Sequence, residues 1–429
     1  MLKCGAADVN ITPELGVHMP GGWTNRPAKN VYDPLFTHAI VFDDGETTIA
    51  FASVDTLYVS FAMVKAIRER VNEYTGIPKE NILVAATHTH YSFEIALDTY
   101  TPEEEKFTHV QTVRCAYKIA DAITMAYMNR RDAVVGYGSC EEHDISFIRR
   151  FFMKTGGVRM NPPRMSPDII EPEGKIDPEV GVIRVDTPDG QPIAVMSNFA
   201  CHLCVAGKDG YSADFGGEIS NVIKNVLGQK VVSVFFAGCC GNINHINFFD
   251  STPYKDHHIK MGRILAYKIL SQREKIGCTD DVSVAASSEW ITVDRRQPTE
   301  ENVAYMNEVF AKADPTPKEL SYANSYKFLT ENPKKQETFE VQTLKVGDIG
   351  FTGLPGEIFV EANFRIKAES PFEKNFVIEL ANGCLGYVST PEAQEHGGYE
   401  TELSRYTFTP PQTIWQMCES AVKQHKEIK

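Results

Sequence analysis

Two histidines one residue apart, in Thr87-His88-Thr89-His90, follow the apolar run Ile82 to Ala86. Neutral imidazole is a common metal ligand and titrates nearer neutrality than any other side chain, so the pair suits metal binding or proton transfer. In extended backbone the i, i+2 spacing points both rings to one face, and one cleft can then use both. Polar residues at the carboxyl end of a buried strand are where α/β folds place their sites. Two hydrogen-bonded turn histidines have the same spacing, so the motif alone leaves both readings open. His202 ends a second apolar run, Ser197 to Ala200, where a lone histidine is also compatible with a satisfied core residue. Glu357 follows Pro355-Gly356 at an expected helix start, and favourable interaction with the helix dipole is a sufficient role for it. Cys201 and Cys204 have the spacing of a zinc knuckle or a redox motif. No second such pair completes a four-thiolate site, and small core residues account for both.

The elements that must position these residues read as mixed α/β. Ala39 to Phe42 and Ile49 to Val54, split by Asp43-Asp44-Gly45-Glu46, predict a β-hairpin. Phe61 to Tyr74 has helical spacing and stops at Gly76 before Pro78, and Ile82 to Ala86 is a short buried strand. Glu103 to Arg130 predicts a long helix, Ala133 to Ser139 a strand, and the Pro- and Gly-rich stretch Lys154 to Pro178 a loop. Strands follow at Gly181 to Val185, Ile193 to Ala200 and Val231 to Ala237, with a helix from Glu218 to Leu227 before the last. Residues 300 to 331 read as exposed helix broken at Pro315 and Pro317. Gln336 to Gly353 alternates as strand, and a helix is expected from Pro355 to about Glu369. No repeat or linker divides the chain, so residues 1–429 are expected to form one domain.

Composition narrows the function classes. Of 429 residues, 42% are hydrophobic and 23% charged, which supports a sizeable core. A formal charge of −14 repels polyanions, so nucleic acid is not an expected partner. No apolar run approaches the roughly 18–20 residues of a membrane span, and no integral membrane contact is expected. No secretory signal opens the chain, which predicts a cytoplasmic protein with reduced thiols. A small-molecule substrate is the expected partner, and a homo-oligomer is left open.

Five ordered motifs resemble the catalytic domain of the neutral/alkaline non-lysosomal ceramidase family. They are Gly5 to Pro13, Ala86 to His90, Asn198 to His202, Leu354-Pro355-Gly356-Glu357 and Gly386-Tyr387-Val388-Ser389-Thr390. The resemblance implies a mixed-sheet neutral-ceramidase-like domain with flanking helices. It also implies one zinc per chain, held by His88, His202, Glu357 and Tyr387. Two imidazoles, a carboxylate and a weak phenol ligand leave room for water, as a catalytic zinc needs. The resemblance further implies that His90 acts as general base, and that Arg149, or its neighbour Arg150, holds an oxyanion or a substrate carboxylate.

Two departures bear on substrate. Where the family has a serine in a Gly-Asp-Val-Ser-Pro-Asn loop, this chain has Gly241-Asn242-Ile243-Asn244-His245, so Asn244 is expected to position substrate and not to attack it. No β-sandwich domain follows the last motif, and ceramide itself is not the expected substrate. Asn244, Asp214, Trp23 and Tyr399 are the candidates for substrate contact, with Glu218, Gly21-Gly22 and Arg26 nearby in the same segments. The leading expectation is zinc-dependent hydrolysis of an amide or ester, with Tyr387 and Arg149 at the oxyanion. A carbohydrate-processing enzyme on the same scaffold is the alternative, since a scaffold does not dictate its substrate. A non-catalytic metal-binding protein is the third reading.

Overall fold

The computed structural model describes residues 1–23, 26–93, 105–332, 336–404 and 412–429. Three sheets organise the chain. The first runs Ile82–Ala86, Thr48–Val54, Phe36–Asp43, Lys3–Asn10 and Arg131–Asp132 in spatial order. The second runs Val232–Ala237, Pro192–Phe199, Glu179–Asp186 and Val134–Glu141, and the third Val284–Asp294, Gln336–Val346, Ile349–Gly353 and Lys374–Ile378. Each is antiparallel except for one parallel pair at an edge. A parallel pair needs a long crossover. Helices Phe61–Thr75, Asp214–Leu227 and Glu361–Glu369 supply one for each sheet.

Alternation along the strands explains how the sheets stack. Ile40 and Phe42, Ile49 and Phe51, and Leu83 and Ala85 face a core shared with the other two sheets, including Phe236, Phe351 and Phe376. The intervening Ala39, Val41, Ala50, Ala52 and Val84 pack under the helices Phe61–Thr75 and Glu105–Met128. Strands buried on both faces read as continuous apolar runs, and these do. Phe51 sits where the sheets meet, with its ring centroid 4.7 Å from Phe351 and 6.3 Å from Phe236. Truncating a buried phenylalanine costs about 3–5 kcal/mol, and here the cavity would open between all three sheets.

The expected hairpin forms, with Thr37 opposite Val54 and Asp43 opposite Thr48. Helix Phe61–Thr75 begins at Ser60, whose hydroxyl accepts the Met63 N–H, and ends at Gly76 in a left-handed conformation (φ 75°). The expected helix start at Glu103 lies outside the described residues; the helix is described from Glu105.

Several boundaries differ from expectation. The predicted loop 154–178 contains strands Val158–Met160 and Ile169–Pro172, which pair on either side of Arg150–Met153. Segments this short carry too few alternations to announce themselves. Gln336 to Gly353 is two strands, and the helix expected at Glu218 begins at Asp214. Glu357 is not at a helix start. It lies in the two-residue strand Glu357–Ile358, and the helix begins at Glu361, so dipole stabilisation does not explain it. Helices His257–Arg273 and Thr413–Ile428 and the strand Lys374–Ile378 complete the outer layers and the third sheet. Among the described residues no helix is long and apolar enough to cross a membrane.

Candidate active site

The carboxyl ends of the three parallel edge pairs converge on one point. Ile82–Ala86 leads to His88, Pro192–Phe199 to His202, Val232–Ala237 to Cys240, and Ile349–Gly353 to Glu357. The segment after the last strand ties the third sheet to the first, because Ala86 N–H donates to the Leu380 carbonyl (3.2 Å) and Asn382 N–H to that of Val84 (2.7 Å). His88 is not in extended backbone: its φ is 72°, a left-handed conformation uncommon for residues with a Cβ. Hydrogen bonds from Thr87 N–H to Val54 O (2.8 Å) and from His88 N–H to Thr56 O (3.0 Å) hold it there. The turn, not a strand, brings the His88 and His90 rings to 5.0 Å between centroids.

Hydrogen bonds assign the lone pairs. His88 Nδ1 lies 2.9 Å from the Leu57 carbonyl and His202 Nδ1 2.9 Å from that of Cys240, while His90 Nδ1 lies 3.1 Å from that of Gly21. A carbonyl only accepts, so each Nδ1 carries a proton and each Nε2 points into the cluster, where that of His202 meets Arg149 Nη1 (3.0 Å). The ligand-capable nitrogens of the three rings fall within 4.8 Å of one another. Glu357 Oε2 lies 3.4 Å from His88 Nε2 and 3.3 Å from His202 Nε2. His88 Nε2, His90 Nε2 and Glu357 Oε2 are buried without a hydrogen-bond partner.

Such orphaned acceptors are costly unless something positive joins them. A tetrahedral ion with nitrogen and oxygen donors about 2.0–2.1 Å away sets those donors about 3.3 Å apart. The observed spacings match, so the donor set fits a divalent cation. Burial, together with the charges on Arg149 and His88, holds His202 well below the ordinary histidine range. Burial works against the Glu357 carboxylate, but His88 and His202 outweigh it and hold its pKa well below the usual value. A neutral imidazole beside an ionised carboxylate is what a metal requires.

Tyr387 joins through backbone pairing: the strand Tyr387–Val388 runs parallel to Glu357–Ile358, with Tyr387 in register with Glu357. Burial, then Glu357, pushes its phenol well above the usual value, so it stays a proton donor. Arg149 Cζ lies 5.5 Å from the Tyr387 ring centre. Its Nε donates to Glu400 (2.7 Å), its Nη1 sits 3.0 Å from His202 Nε2, and its Nη2 is buried without a partner. Burial opposes the charge, but Tyr387, Glu400 and Glu357 hold the guanidinium protonated. Arg150 turns away instead. It pairs with Glu173 and Glu400 and donates to the Gly397 carbonyl (2.8 Å).

His90 differs from its sequence expectation in charge. Burial and the neighbouring His88 push it down to about 3, so it is neutral, not half-protonated, near pH 7. The Gly21-Gly22 loop presses against it: a Cβ on Gly21 would come within 2.5 Å of His90 Nδ1. Arg26 Nη2 donates to the His90 carbonyl (2.9 Å).

The four substrate-contact candidates part company. Trp23 and Tyr399 line an open cavity of about 1070 Å3. Their rings meet edge to face at 5.5 Å, and Tyr399 lies 5.5 Å from Tyr387 on the side of the histidine cluster. This cavity adjoins the histidine cluster through Tyr399 and does not include it. Asn244 and Asp214 do not reach it. Asn244 donates to Asn161 (2.7 Å) and accepts from Ile246 N–H (2.9 Å), which uses both ends of its amide. Asp214 is buried and accepts the N–H groups of Val205, Ala206 and Phe215, so it shapes the loop after His202. Glu218 instead pairs with Arg263 (2.8 Å). Cys201 packs in the core under Asp214–Leu227, and Cys204 Sγ lies 3.9 Å from His245 Nδ1.

Two residues that sequence reading passed over support the site. Glu400 is fully buried and bridges Arg149 and Arg150. Glu379, also fully buried, accepts from Cys240 N–H (3.0 Å), the Cys240 thiol (2.9 Å) and Ile358 N–H (3.1 Å), so it fixes the loops that carry the Cys240 carbonyl and Glu357. Burial raises its pKa to about 7. A carboxylate inside the apolar run Phe376 to Ala381 was a readable signal; Glu400 offered none.

No protein-family model matches the chain. Among solved structures, the crystal structure of neutral ceramidase from Pseudomonas aeruginosa superposes with a TM-score of 0.74 at 17% identity, over 100% of this chain and 75% of that one. A ceramidase complexed with C2 superposes with a TM-score of 0.73 at 17% identity, over 100% and 76%. With its mixed sheets, flanking helices and full-length superposition, the chain has the neutral-ceramidase fold.

Proposed function

We propose that this protein is a metal-dependent hydrolase, with zinc as the metal, that cleaves an amide or ester bond in a small molecule. The observation that carries the reading is the trio of buried donor atoms, with Glu357 Oε2 3.4 Å from His88 Nε2 and 3.3 Å from His202 Nε2, and with His88 Nε2 and Glu357 Oε2 making no hydrogen bond. Two imidazoles and one carboxylate form a catalytic-zinc donor set, with Tyr387 as a weak fourth ligand or a neighbour. That both structural neighbours are ceramidases favours hydrolysis over other metal chemistry.

When bound, the metal would polarise the carbonyl and lower the pKa of water. The chain's own groups supply the rest. His90, kept neutral, presents Nε2 as proton acceptor and returns the proton to the leaving group. The Tyr387 hydroxyl and the free Nη2 of Arg149 donate to the oxygen on which negative charge develops. Glu400 keeps the Arg149 fork aimed, and Glu379 keeps the His202 and Glu357 loops in register.

The test is metal content and turnover of a panel of N-acyl amino acids, N-acyl lipids, N-acyl sugars, esters and glycosides by wild type and His88→Ala. One zinc per chain and amide or ester turnover, both lost in His88→Ala, is the expected result. Full zinc and full activity in His88→Ala would remove His88 from the site. Bound zinc with no turnover of any class would favour a non-catalytic metal protein.

A further inference from the structure

We propose that the cavity beside Tyr399 is a carbohydrate subsite, which seats one or more sugar rings of the substrate whose bond is cleaved at the metal. The cleavage clause rests on the hydrolase reading; the binding clause does not.

The cavity wall is an excursion from a hairpin. Strands Val284–Asp294 and Gln336–Val346 pair residue for residue, from Val284 opposite Val346 to Asp294 opposite Gln336. The chain between them leaves and returns at the hairpin tip, carrying helices Glu300–Ala311 and Pro317–Glu331, each opened by a capping box at Thr299 or Thr316. Lys318, Tyr322 and Tyr326 stand four residues apart on the second helix, and Glu301 and Tyr305 four apart on the first. That spacing places each set on one helix face, and both sets line the cavity. These helices are exposed, as expected, and one face of them looks into a cleft.

The lining has the two halves that a sugar has. Trp23, Tyr305, Tyr322, Tyr326 and Tyr399 supply ring faces and edges, with Tyr322 6.4 Å from Tyr399 and Tyr305 6.1 Å from Tyr326. Arg159, Asn161, Arg296, Lys318 and Glu402 supply donors and acceptors around them. A hydrocarbon chain filling this space would strip water from those ions with nothing to replace it. Cationic and acidic groups are mixed, so no single sign selects a phosphate or a carboxylate. Pyranose C–H faces suit aromatic rings, and hydroxyls suit mixed donors and acceptors. At about 1070 Å3 the cavity lies at the upper end of small-ligand clefts, with room beyond one ring. The run of ring contacts from Tyr322 through Tyr399 to Tyr387 joins it to the metal side.

Trp23 lines the cavity, whereas Trp290 and Trp415 do not, so its fluorescence reports occupancy. The metal-loaded protein is titrated with neutral trisaccharides (chito-, cello-, xylo- and malto-), with octyl amide and phosphate as controls, and aryl-ester and anilide hydrolysis is measured on the same samples. At least one trisaccharide should give a saturating change that Trp23→Phe abolishes. Tyr322→Ala should weaken that binding about tenfold, and Tyr322→Phe far less. Arg159→Ala, at an exposed position that does not endanger folding, should weaken it about threefold to tenfold. Absence of any trisaccharide response, or saturation by octyl amide or phosphate instead, overturns the subsite. Sugar binding without hydrolysis keeps the subsite and sinks the hydrolase reading; hydrolysis without sugar binding does the reverse.

Discussion

Two buried histidine–carboxylate clusters lie on the first sheet and its surroundings, and they differ in one respect. In the cluster around His38, Nδ1 bonds Asp8 at 2.7 Å and Nε2 lies 3.9 Å from Asp55. Asp8 also pairs with Lys224, and Asp55 accepts the Phe36 N–H at 2.8 Å. Every charge there faces an opposite charge or a donor within the chain. In the cluster around His88 and His202, each Nδ1 is satisfied by a carbonyl, while His88 Nε2 and Glu357 Oε2 face each other at 3.4 Å and neither makes a hydrogen bond. The same residue types thus close one cluster with hydrogen bonds and leave buried acceptor atoms without one in the other, which could hold a cation. Acceptors without a hydrogen bond, and not the mere proximity of histidines and carboxylates, single out a candidate metal site.

The comparison breaks most visibly in activity. Glu357→Gln should lose bound metal and lower kcat/KM by at least about a thousandfold, while His38→Gln keeps one metal per chain by elemental analysis. If the two variants lose metal alike, the distinction fails. Tyr387→Phe should lower kcat by roughly a hundredfold to a thousandfold, since it removes one donor to the developing oxyanion. Steady-state kinetics that show only a KM change would take Tyr387 out of that role.

Stability should respond in the opposite sense. His38→Gln breaks a buried ion-pair cluster and should cost about 3–5 kcal/mol, read as a lower urea midpoint at unchanged slope. Chelation of wild type should cost less, about 2–3 kcal/mol for a ligand held near a hundredfold above its dissociation constant, and added zinc should restore it. His88→Ala should show no such zinc-dependent rise in Tm.

The smallest effect is the pH dependence. Burial opposes the charge on His38, but Asp8 and Asp55 raise its pKa above the usual 6.5. Its contribution is complete below 6.5 and fades as pH rises through the raised folded value. Burial opposes the charge on Asp8 too, yet His38 and Lys224 lower its pKa below 3.8, so its contribution is complete above 3.8 and fades as pH falls through the lowered value. The stability gap between wild type and His38→Gln should be widest between 3.8 and 6.5 and narrow on either side. A gap flat from pH 4 to 9 would show that His38 carries no charge in the folded protein.

The legible parts of the fold were those decided locally. The hairpin of Phe36–Asp43 and Thr48–Val54, the stop at Gly76 and the buried strand Ile82–Ala86 follow from alternation, a left-handed glycine and apolar runs. Short pairings were not legible: Val158–Met160, Glu357–Ile358 and Tyr387–Val388 exist because a distant segment lies beside them. The same holds within the site. Residue type singled out His88, His202 and Glu357, but Glu400, which aims Arg149, is a carboxylate in an ordinary polar segment.

The sequence by itself determined which strands are buried on both faces and where polar residues follow their carboxyl ends, because side-chain period and chain-end chemistry are properties of neighbours along the chain. Only the tertiary structure decided that three such ends meet with Glu357 Oε2 3.3–3.4 Å from both histidine Nε2 atoms, that Asp214 and Asn244 spend themselves on the backbone or a neighbouring amide, and that helices 300–311 and 317–331 roof a cavity. Those outcomes depend on contacts between residues tens to hundreds of positions apart, and no local pattern encodes which partner a polar atom finds.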